Sequence, residues 1–451
     1  SGNYDVGGLV GYNDYDGDIY QSFAIGSATG VGEDTWVGGL VGENDGSIKQ
    51  SFATGSVTGD DGDAVGGLVG GNDDGGYIDE TYAMGAVRVG ASIIDPSDPA
   101  NSLIAAAGGL VGYNNGEVDE SYSTGMVSGG ASAALGGMVG SNDTDGTISD
   151  TYWDTDTSGL AAGVGQDDGS GTTTTGLTTA YLQDNDTLTG FDFAAVWATG
   201  DGLYPYFQWQ YSVTPQAISG MVYTDSSRTT TLNGVTVDAV SGGALAGTGA
   251  SGANGYYYVL TLPGALNSTG ILTYIADNPV KGATFTDETA IAVDPVNRQL
   301  GGINDIYGGT TSVWTSDIDF STTLGNLTTT LGTISNADLG LTATASSLEA
   351  DAGGITVSIG NTNATFDGSL TASGGIQVWA PGTLTFAPGA SLSSATSGNA
   401  IEIYTREFIN DAGSSLLTLT GSGRWLIYSN DPADDVFGGL DSGNTAIWNA
   451  S

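Results

Sequence analysis

Acidic turns are the residues of this sequence whose type and spacing come closest to metal-binding chemistry. In one turn Asp14, Asp16 and Asp18 alternate with tyrosine and glycine, and in a later turn Asp143 and Asp145 flank a threonine. Carboxylates that alternate along a tight loop present the hard oxygen ligands that Ca²⁺ prefers. The spacing therefore makes these five aspartates candidate metal ligands.

The same turns have a second interpretation, in which they are solvated and bind nothing. A loop beginning at Asp14 has Ile25 at its twelfth position, where an EF-hand needs glutamate. Asparagine, aspartate and glycine are also the residues that tolerate left-handed backbone and bond their own main chain in turns. We therefore predict no cofactor, with calcium kept as the alternative.

The amino-acid composition argues against several common kinds of catalytic site. The chain has no histidine and no cysteine, which excludes a Ser-His-Asp triad, a thiol nucleophile and a zinc-thiolate site. Paired carboxylates could hydrolyse glycosides, but no pair among the 51 acidic residues is distinguished by its spacing. We predict no catalytic residue and no enzymatic activity, with a polysaccharide-degrading enzyme as the less favoured alternative.

Two further features have both a chemical and a structural interpretation. Lys281, with Glu288 nearby in sequence, could form an isopeptide bond, although a solvated lysine is the simpler reading. Aromatic residues at 204–209 and 256–258 could stack against sugars, although core and capping roles are the simpler explanation. The structural interpretation is favoured in both cases.

Charge and hydropathy limit the partners. The chain has 451 residues, 51 carboxylates and 7 basic side chains, a formal charge of −44. Nucleic-acid phosphates and anionic lipid heads require clustered lysine and arginine, so neither is predicted as a partner. Hydrophobic residues make up 39% of the chain, enough to predict a buried core despite 76 glycines. No run of about 18 apolar residues predicts a membrane-spanning helix.

An internal repeat explains the glycines. The sequence Gly-Gly-Leu/Met-Val-Gly begins at positions 7, 38, 66, 108 and 136, so the starts are 31, 28, 42 and 28 residues apart. Each copy has an asparagine two residues later, then an aliphatic residue, and an aromatic residue four positions after that. The aromatic residues are Phe23, Phe52, Tyr82, Tyr122 and Tyr152.

Repeats of this length predict a parallel β-solenoid, because one unit cannot bury its own apolar face but stacked copies can. Side chains four residues apart in a strand point the same way, so we expect the aliphatic and aromatic residues to form ladders inside the coils. Glycine should occupy corners with positive φ or tight packing. An insert at about 90–106, which includes Asp95-Pro96 and Asp98-Pro99, should loop out of one coil.

The rest of the chain divides by pattern. We predict five repeats over 1–157, an irregular capping segment over 158–216, a small Ig-like β-sandwich over 217–297 and a second solenoid segment over 298–451. The second solenoid is indicated by apolar pairs at Ile355, Ile376, Ile401 and Trp425, spaced by 21, 25 and 24 residues. The predicted fold class is all-β.

The repeat, Gly-Gly-Leu-Val-Gly-x-Asn followed by Ile-x-x-Ser-Phe-Ala-x-Gly, resembles the GLUG repeat of large exported bacterial surface proteins. The segments at 152–159, 176–179 and 202–206, the Ile218 to Tyr223 strand and the Gly423 to Ser429 coil are similar to parts of adhesins related to filamentous haemagglutinin. The resemblance implies a right-handed β-helix shaft, export by the two-partner route, and adhesion or surface assembly. The amino-terminal secretion domain of such proteins is not recognisable in these residues.

These observations together predict a structural and adhesive extracellular protein, located at the cell surface in association with the outer membrane. We expect it to be a shaft segment of an adhesin or of a surface filament that associates with itself. A cell-surface glycan or protein is its expected external partner. A calcium-dependent carbohydrate-binding or surface-binding protein is the alternative function.

Overall fold

The computed structural model shows two compact units, residues 1–214 with 249–258 (unit 1) and residues 215–248 with 259–451 (unit 2). It describes all residues except 3, 33–34, 95–102, 170, 267–269, 277, 287–296, 299–303, 316–319, 332–340, 345, 352, 361–362, 431 and 442–451. Both units are built almost entirely of β-strands, most of them in stacked parallel sheets, which confirms the predicted all-β solenoid class.

Unit 1 is a stack of short-stranded coils in which five parallel sheets each take one strand from successive coils. Among the described residues, four coils have five strands, the fifth has four, and a sixth is partial. The strands are β1 (Val6–Gly7), β2 (Val10–Asn13), β3 (Asp18–Tyr20), β4 (Phe23–Ala24), β5 (Ala28–Thr29), β6 (Trp36–Gly38), β7 (Val41–Asn44), β8 (Ser47–Lys49), β9 (Phe52–Ala53), β10 (Val57–Thr58), β11 (Ala64–Gly66), β12 (Val69–Asn72), β13 (Tyr77–Asp79), β14 (Tyr82–Ala83), β15 (Val87–Val89), β16 (Ala106–Gly108), β17 (Val111–Asn114), β18 (Glu117–Asp119), β19 (Tyr122–Ser123), β20 (Val127–Gly129), β21 (Ala134–Gly136), β22 (Val139–Asn142), β23 (Thr147–Ile148), β24 (Thr151–Asp154), β25 (Val164–Asp167), β26 (Thr174–Leu177), β27 (Trp197–Ala198) and β28 (Tyr206–Phe207).

The paired glycines of each repeat are required by close backbone approach. A Cβ atom on Gly38 would lie 1.8 Å from the carbonyl oxygen of Val41, and one on Gly39 would lie 2.1 Å from the carbonyl oxygen of Gly67 in the next coil. Both distances are far inside van der Waals contact, so no other residue fits. These pairs are therefore the tightly packed corners that the sequence predicts.

The aromatic residues of the repeats lie outside the coils, contrary to the expectation that they form an internal ladder. Leu40 and Ile48 are fully buried in the interior, where Ala53 packs beside them. The preceding residue, Phe52, points to the opposite face and joins a separate aromatic cluster. The cause is Gln50, whose φ of 46° turns the chain between β8 and β9 and reverses the alternation of side chains.

Stacked rings run along this outer face, and the segment predicted to cap the solenoid covers them from the side. Phe52 and Tyr82 stack with ring centroids 4.7 Å apart, and Tyr82 and Tyr122 with centroids 5.2 Å apart. Trp197 and Phe207 pack against this column and are fully buried. This part of the segment therefore protects apolar rings along several coils. Its earlier strands, β25 and β26, pair with β22 and β24 of the fifth coil and cover part of the strand edge at that end.

Short helices mark the end of the regular coils. The segment Thr155–Ser158 forms α1 in place of a fifth strand of the fifth coil, and the Asp154 carboxylate caps it by accepting bonds from the backbone of Asp156 and Thr157. A second helix, α2, spans Thr179–Leu182, and a 3₁₀ turn spans Asn185–Thr187. The regular five-stranded coils thus end at α1, close to the predicted end of the repeats at residue 157.

Unit 2 carries one longer helix, α3 (Phe320–Leu331), and the later strands apart from their residues within 249–258, which belong to unit 1. The strands from residue 216 onward are β29 (Gln216–Tyr223), β30 (Thr236–Ser241), β31 (Ala244–Ala250), β32 (Tyr256–Thr261), β33 (Ile271–Ala276), β34 (Ala283–Thr286), β35 (Asn297–Arg298), β36 (Ile306–Tyr307), β37 (Thr310–Thr315), β38 (Leu341–Thr344), β39 (Ser347–Ala350), β40 (Gly354–Ile359), β41 (Asn363–Phe366), β42 (Ser369–Ala372), β43 (Ile376–Trp379), β44 (Thr383–Phe386), β45 (Ser391–Ser394), β46 (Asn399–Thr405), β47 (Glu407–Asn410), β48 (Leu417–Leu419) and β49 (Arg424–Ser429). The four residues that indicated a second solenoid lie in register, since Ile355 pairs with Ile376, Ile376 with Ile401, and Ile401 with Trp425.

The antiparallel strands expected of a sandwich are present, but one of their sheets continues into the second solenoid. Strands β30, β33 and β34 pair antiparallel, and β34 then pairs parallel with β37, which begins the series β37, β40, β43, β46 and β49. The division of these residues into a sandwich at 217–297 and a solenoid at 298–451 therefore stays a prediction. In the structure, described parts of both segments share one sheet.

The helix α3 completes the core of unit 2. Phe320, Leu324, Leu327 and Leu331 follow one face of the helix and are buried in the same cluster as Phe366. The rings of Phe320 and Phe366 stack with centroids 4.3 Å apart.

Several sequence predictions fall on residues outside those described. The centre of the insert, 95–102, is one, although Ile93 and Leu103 at its two ends form an antiparallel bridge, as a loop leaving and rejoining one coil requires. Glu288 is another, so the isopeptide hypothesis for Lys281 stays a prediction.

Candidate functional site: the acidic face of unit 1

A column of buried asparagine side chains supports the acidic turns. The asparagine of each repeat lies in register with that of the next coil, and its amide Nδ2 donates to the next Oδ1 at 2.7 to 2.8 Å. The column ends on Asp167, whose Oδ1 accepts from Asn142 at 2.9 Å. The members are Asn13, Asn44, Asn72, Asn114 and Asn142, all of them buried. The recurring asparagine is therefore structural, because its side-chain amide is hydrogen-bonded to the asparagines of the neighbouring coils and is not free to bind a ligand.

The five predicted metal ligands lie in two separate turns. Asp14, Asp16 and Asp18 belong to the first coil and are exposed, whereas Asp143 and Asp145 belong to the fifth. Four coil spacings of about 4.8 Å separate the turns by about 19 Å, so the two groups do not form one site.

Hydrogen bonds within or next to these turns already occupy some of the carboxylate oxygens. The Oδ1 atom of Asp14 accepts from the backbone of Tyr15 at 2.8 Å, and that of Asp143 accepts from the backbone of Thr144 at 2.7 Å. The second oxygen of Asp143 accepts from the Tyr113 hydroxyl at 2.6 Å, and these bonds lower the pKa of Asp143. Such bonds are typical of aspartate in tight turns. Metal binding by these aspartates stays a prediction.

A groove of about 730 Å³ lies beside the first turn and contains a fixed positive charge. Asp16 and Asp18 line it, together with tyrosine rings and Lys49. The Lys49 ammonium lies 3.2 Å from a carboxylate oxygen of Asp79 and 4.5 Å from the ring centroid of Tyr77. This ammonium group weakens the attraction of the groove for a metal cation.

The carboxylates that the structure does bring together were not identified from the sequence. Glu43, Asp45 and Asp73 each place one oxygen within 4.8 Å of the others. Glu43 and Asp45 flank the buried Asn44, so both side chains point outward, and Asp73 is the next coil's counterpart of Asp45. The signal was present in the second repeat, where an acidic residue stands on either side of the asparagine, but its meaning depends on the register between coils.

Electrostatic repulsion within this cluster is substantial. Burial, together with the negative charges of Asp5, Asp45 and Asp73, raises the pKa of Glu43 to about 7. The Tyr12 hydroxyl donates to Asp45 at 2.6 Å, and this bond raises the pKa of Tyr12. Three close carboxylates are a donor set that suits Ca²⁺. Near pH 7 a substantial fraction of Glu43 is protonated, which reduces the charge available to a cation.

No described helix is both long enough and apolar enough to span a bilayer.

Comparisons with known proteins agree with the repeat found in the coils. Residues 2–29 and 37–58 match the family model of the GLUG motif. A Gly-rich membrane protein of Evansella cellulosilytica is 32% identical over 116 residues, a match that covers 24% of this chain and 12% of that relative. No solved structure matched the chain significantly. The segments matched by the family model form the first two coils of unit 1, so this chain carries GLUG repeats.

Proposed function

We propose that this chain is a non-catalytic, extracellular β-solenoid that serves as a shaft segment of a bacterial surface adhesin or of a self-associating surface filament. The proposal includes export by the two-partner route and a position at the cell surface in association with the outer membrane. The single observation that carries it is the continuous parallel stacking of coils in both units.

This stacking suits a mechanical role. Each coil adds backbone hydrogen bonds to its neighbours and extends columns of like side chains, such as the buried asparagines and the stacked rings. A structure of this kind resists bending because each inner coil is held by the coils on both sides. The base-poor, negative surface keeps long solenoids soluble and leaves seven sites for trypsin-like proteases.

Self-association is supported by the outermost described coil of unit 1, formed by β1 to β5. Leu9 is 52% exposed, whereas its counterpart Leu40 is fully buried, and Phe23 is 51% exposed against 5% for Phe52. Leu9 lies between β1 and β2, and Phe23 lies in β4. A further coil stacked on these strands, from the same chain or from a second copy, would cover both side chains. A coil of a second copy offers matching side chains and strands.

Light scattering and electron microscopy of the purified chain test this association. We expect multimers that grow with concentration, and we expect the double variant Leu9→Asp, Phe23→Asp to remain a single copy. Tyr181→Asp is the matched control, because Tyr181 is 59% exposed in α2, which packs on β24 and β26. A chain that never associates, or equal association by the double variant, would contradict the filament form of the proposal.

Adhesion is tested independently with fluorescent beads that carry the chain. Such beads should be retained on cell monolayers under flow, in contrast to beads of equal charge density coated with albumin. Retention no greater than that of the albumin beads would contradict the adhesive role, whatever the state of association.

The carboxylate cluster of Glu43, Asp45 and Asp73 favours one alternative, a calcium-dependent binding protein. Calcium that binds the folded state must raise the melting temperature by mass action. Melting curves in millimolar Ca²⁺ and in chelator decide between the two, and identical curves would eliminate the alternative. We assign the chain no catalytic role, and release of reducing sugar from a polysaccharide panel would refute that assignment.

A further inference from the structure

The outer face of the unit 2 sheet carries an aromatic column with one ring missing. Trp314, Ser358, Trp379, Tyr404 and Tyr428 pair in register along β37, β40, β43, β46 and β49. Trp379 stacks on Tyr404 with centroids 3.8 Å apart and planes 5° apart, and Tyr404 stacks on Tyr428 at 4.6 Å and 4°. Ser358 interrupts the column between the two tryptophans.

The interruption has the dimensions of one flat ring. Strands in a sheet lie about 4.8 Å apart, so the positions of Trp314 and Trp379 are separated by about 9.6 Å. Stacked rings prefer centroid separations of about 4.5–7 Å, so a single ring between the two indoles can contact both. A cavity of about 770 Å³ opens at this point and is lined by both tryptophans and Ser358.

Unsatisfied polar atoms lie at the wall of the same cavity. Ser312 is only 2% exposed, and its Oγ has no hydrogen-bond partner. The indole Nε1 of Trp314 is buried and likewise unpaired. Buried polar groups without partners are destabilising, so a ligand that pairs with them gains affinity. Thr356 and Gln377 add further polar groups to the lining, so the gap suits a ring that carries hydroxyl groups.

Two of the seven basic residues of the chain also line this cavity, Arg228 and Arg406. The Arg228 guanidinium lies 5.0 Å from the ring centroid of Tyr307 and is exposed. The Arg406 side chain is 50% exposed, donates to Thr383 at 3.0 Å and lies 3.5 Å from a carboxylate oxygen of Glu407, an exposed contact that a ligand carboxylate can replace. Guanidinium groups pair with carboxylates through two parallel hydrogen bonds. In so acidic a chain, two arginines at one cavity favour an anionic ligand.

We propose that the gap at Ser358 binds a pyranose ring of an oligosaccharide that bears carboxylates, such as a uronic acid polymer. The apolar faces of the sugar stack on Trp314 and Trp379, its hydroxyls satisfy the unpaired Ser312 and indole groups, and a carboxylate pairs with an arginine. This ligand site extends the proposed scaffold and does not depend on self-association.

Isothermal titration calorimetry of the whole chain with trigalacturonate tests the site, with cellotriose as the neutral probe. We expect saturable binding of trigalacturonate, at least tenfold tighter than that of cellotriose. Ser358→Trp should fill the gap with a ring of the chain itself and weaken binding at least tenfold. Ser393→Trp is the matched control, since Ser393 is a half-buried strand residue in another sheet of unit 2, and it should bind as the original chain does.

A substitution outside the strands of this sheet distinguishes a loss of binding from a loss of folding. Arg228→Gln changes an exposed side chain, so it should keep the circular dichroism spectrum and melting temperature while it weakens trigalacturonate binding severalfold. Absence of saturable binding by the original chain, or undiminished binding by Ser358→Trp, would overturn the site. Equal affinity for cellotriose would overturn its acidic specificity. None of these results bears on the filament or bead assays, so the two proposals fail separately.

Discussion

Replacement of Asn72 by alanine removes the centre of the asparagine column. The Asn44 amide then loses its acceptor at 2.8 Å, and the Asn114 carbonyl oxygen loses its donor at 2.8 Å. Each unpaired buried group costs about 1–3 kcal/mol, and the Asn44 amide keeps a bond of 3.1 Å to Gly46, so the total should be about 2–4 kcal/mol. The loss is local, because each coil is held by its immediate neighbours.

Asn115→Ala is the matched control for this substitution. It deletes the same atoms one residue after Asn114, but Asn115 is only half-buried and makes a single side-chain bond of 3.4 Å, to Asp73. The side-chain oxygen Oδ1 of Asn115 has no hydrogen-bond partner, so its removal breaks no bond. We therefore expect a cost below about 0.5 kcal/mol.

Hydrogen exchange followed by mass spectrometry measures both effects where they occur. A cost of about 2–4 kcal/mol corresponds to an increase of about 30-fold to 800-fold in the exchange of amides in β12 and β17. The control should leave these amides within about threefold of the original chain. Equal increases for the two variants, or an increase below threefold for Asn72→Ala, would refute the view that the column stabilises the coils.

Three further substitutions test other features of unit 1. The raised pKa of Glu43 means that the folded state binds this proton more tightly than the unfolded chain does, so the free energy of unfolding should fall as pH rises from 4.5 to about 7. Glu43→Gln should reduce this fall by about 1 kcal/mol after allowance for solvent screening, and an unchanged pH profile in denaturant titrations would contradict the shift. Gly39→Ala should lower the free energy of unfolding by about 1–3 kcal/mol, because its Cβ would meet a backbone carbonyl of the next coil. Gly26→Ala is the control and should be nearly neutral, since the space around Gly26 is open. Similar melting temperatures for the two variants would contradict this packing. Tyr122→Phe removes a hydroxyl that donates to a buried backbone carbonyl of the covering segment and should cost about 1–2 kcal/mol in thermal unfolding, and a neutral result would mean that water replaces the bond.

Repeats made the solenoid predictable, because a coil that recurs in sequence must recur in space. The predicted pairs at Ile355 and Ile376 lie in register in the structure, and the glycine pairs are the closely packed corners. The helix α3 was missed, since its threonines and Gly325 are poor helix formers. The spacing of Phe320, Leu324, Leu327 and Leu331 would have revealed it, as an apolar stripe of helical period.

The direction of the aromatic residues could not be read from their spacing alone. An interval of four residues keeps side chains on one face only if the strand is unbroken, and Gln50 breaks it by adopting a left-handed conformation. Glutamine has no special preference for that conformation, so its residue type carried no signal. The residues around Trp197 and Phe207 could be recognised as a cover for the aromatic rings only after the structure showed that those rings lie outside the coils.

The amino-acid sequence by itself determined the class of this protein: an acidic, base-poor, repeat-built β-solenoid that contains no histidine and no cysteine. Only the tertiary structure decided which side chains meet. The carboxylates at Glu43 and Asp73, and the tryptophans on either side of Ser358, are brought together by the register between coils. The physical reason is that neighbours along a solenoid are tens of residues apart in the chain, and a change in corner or loop length alters their alignment without altering the repeat.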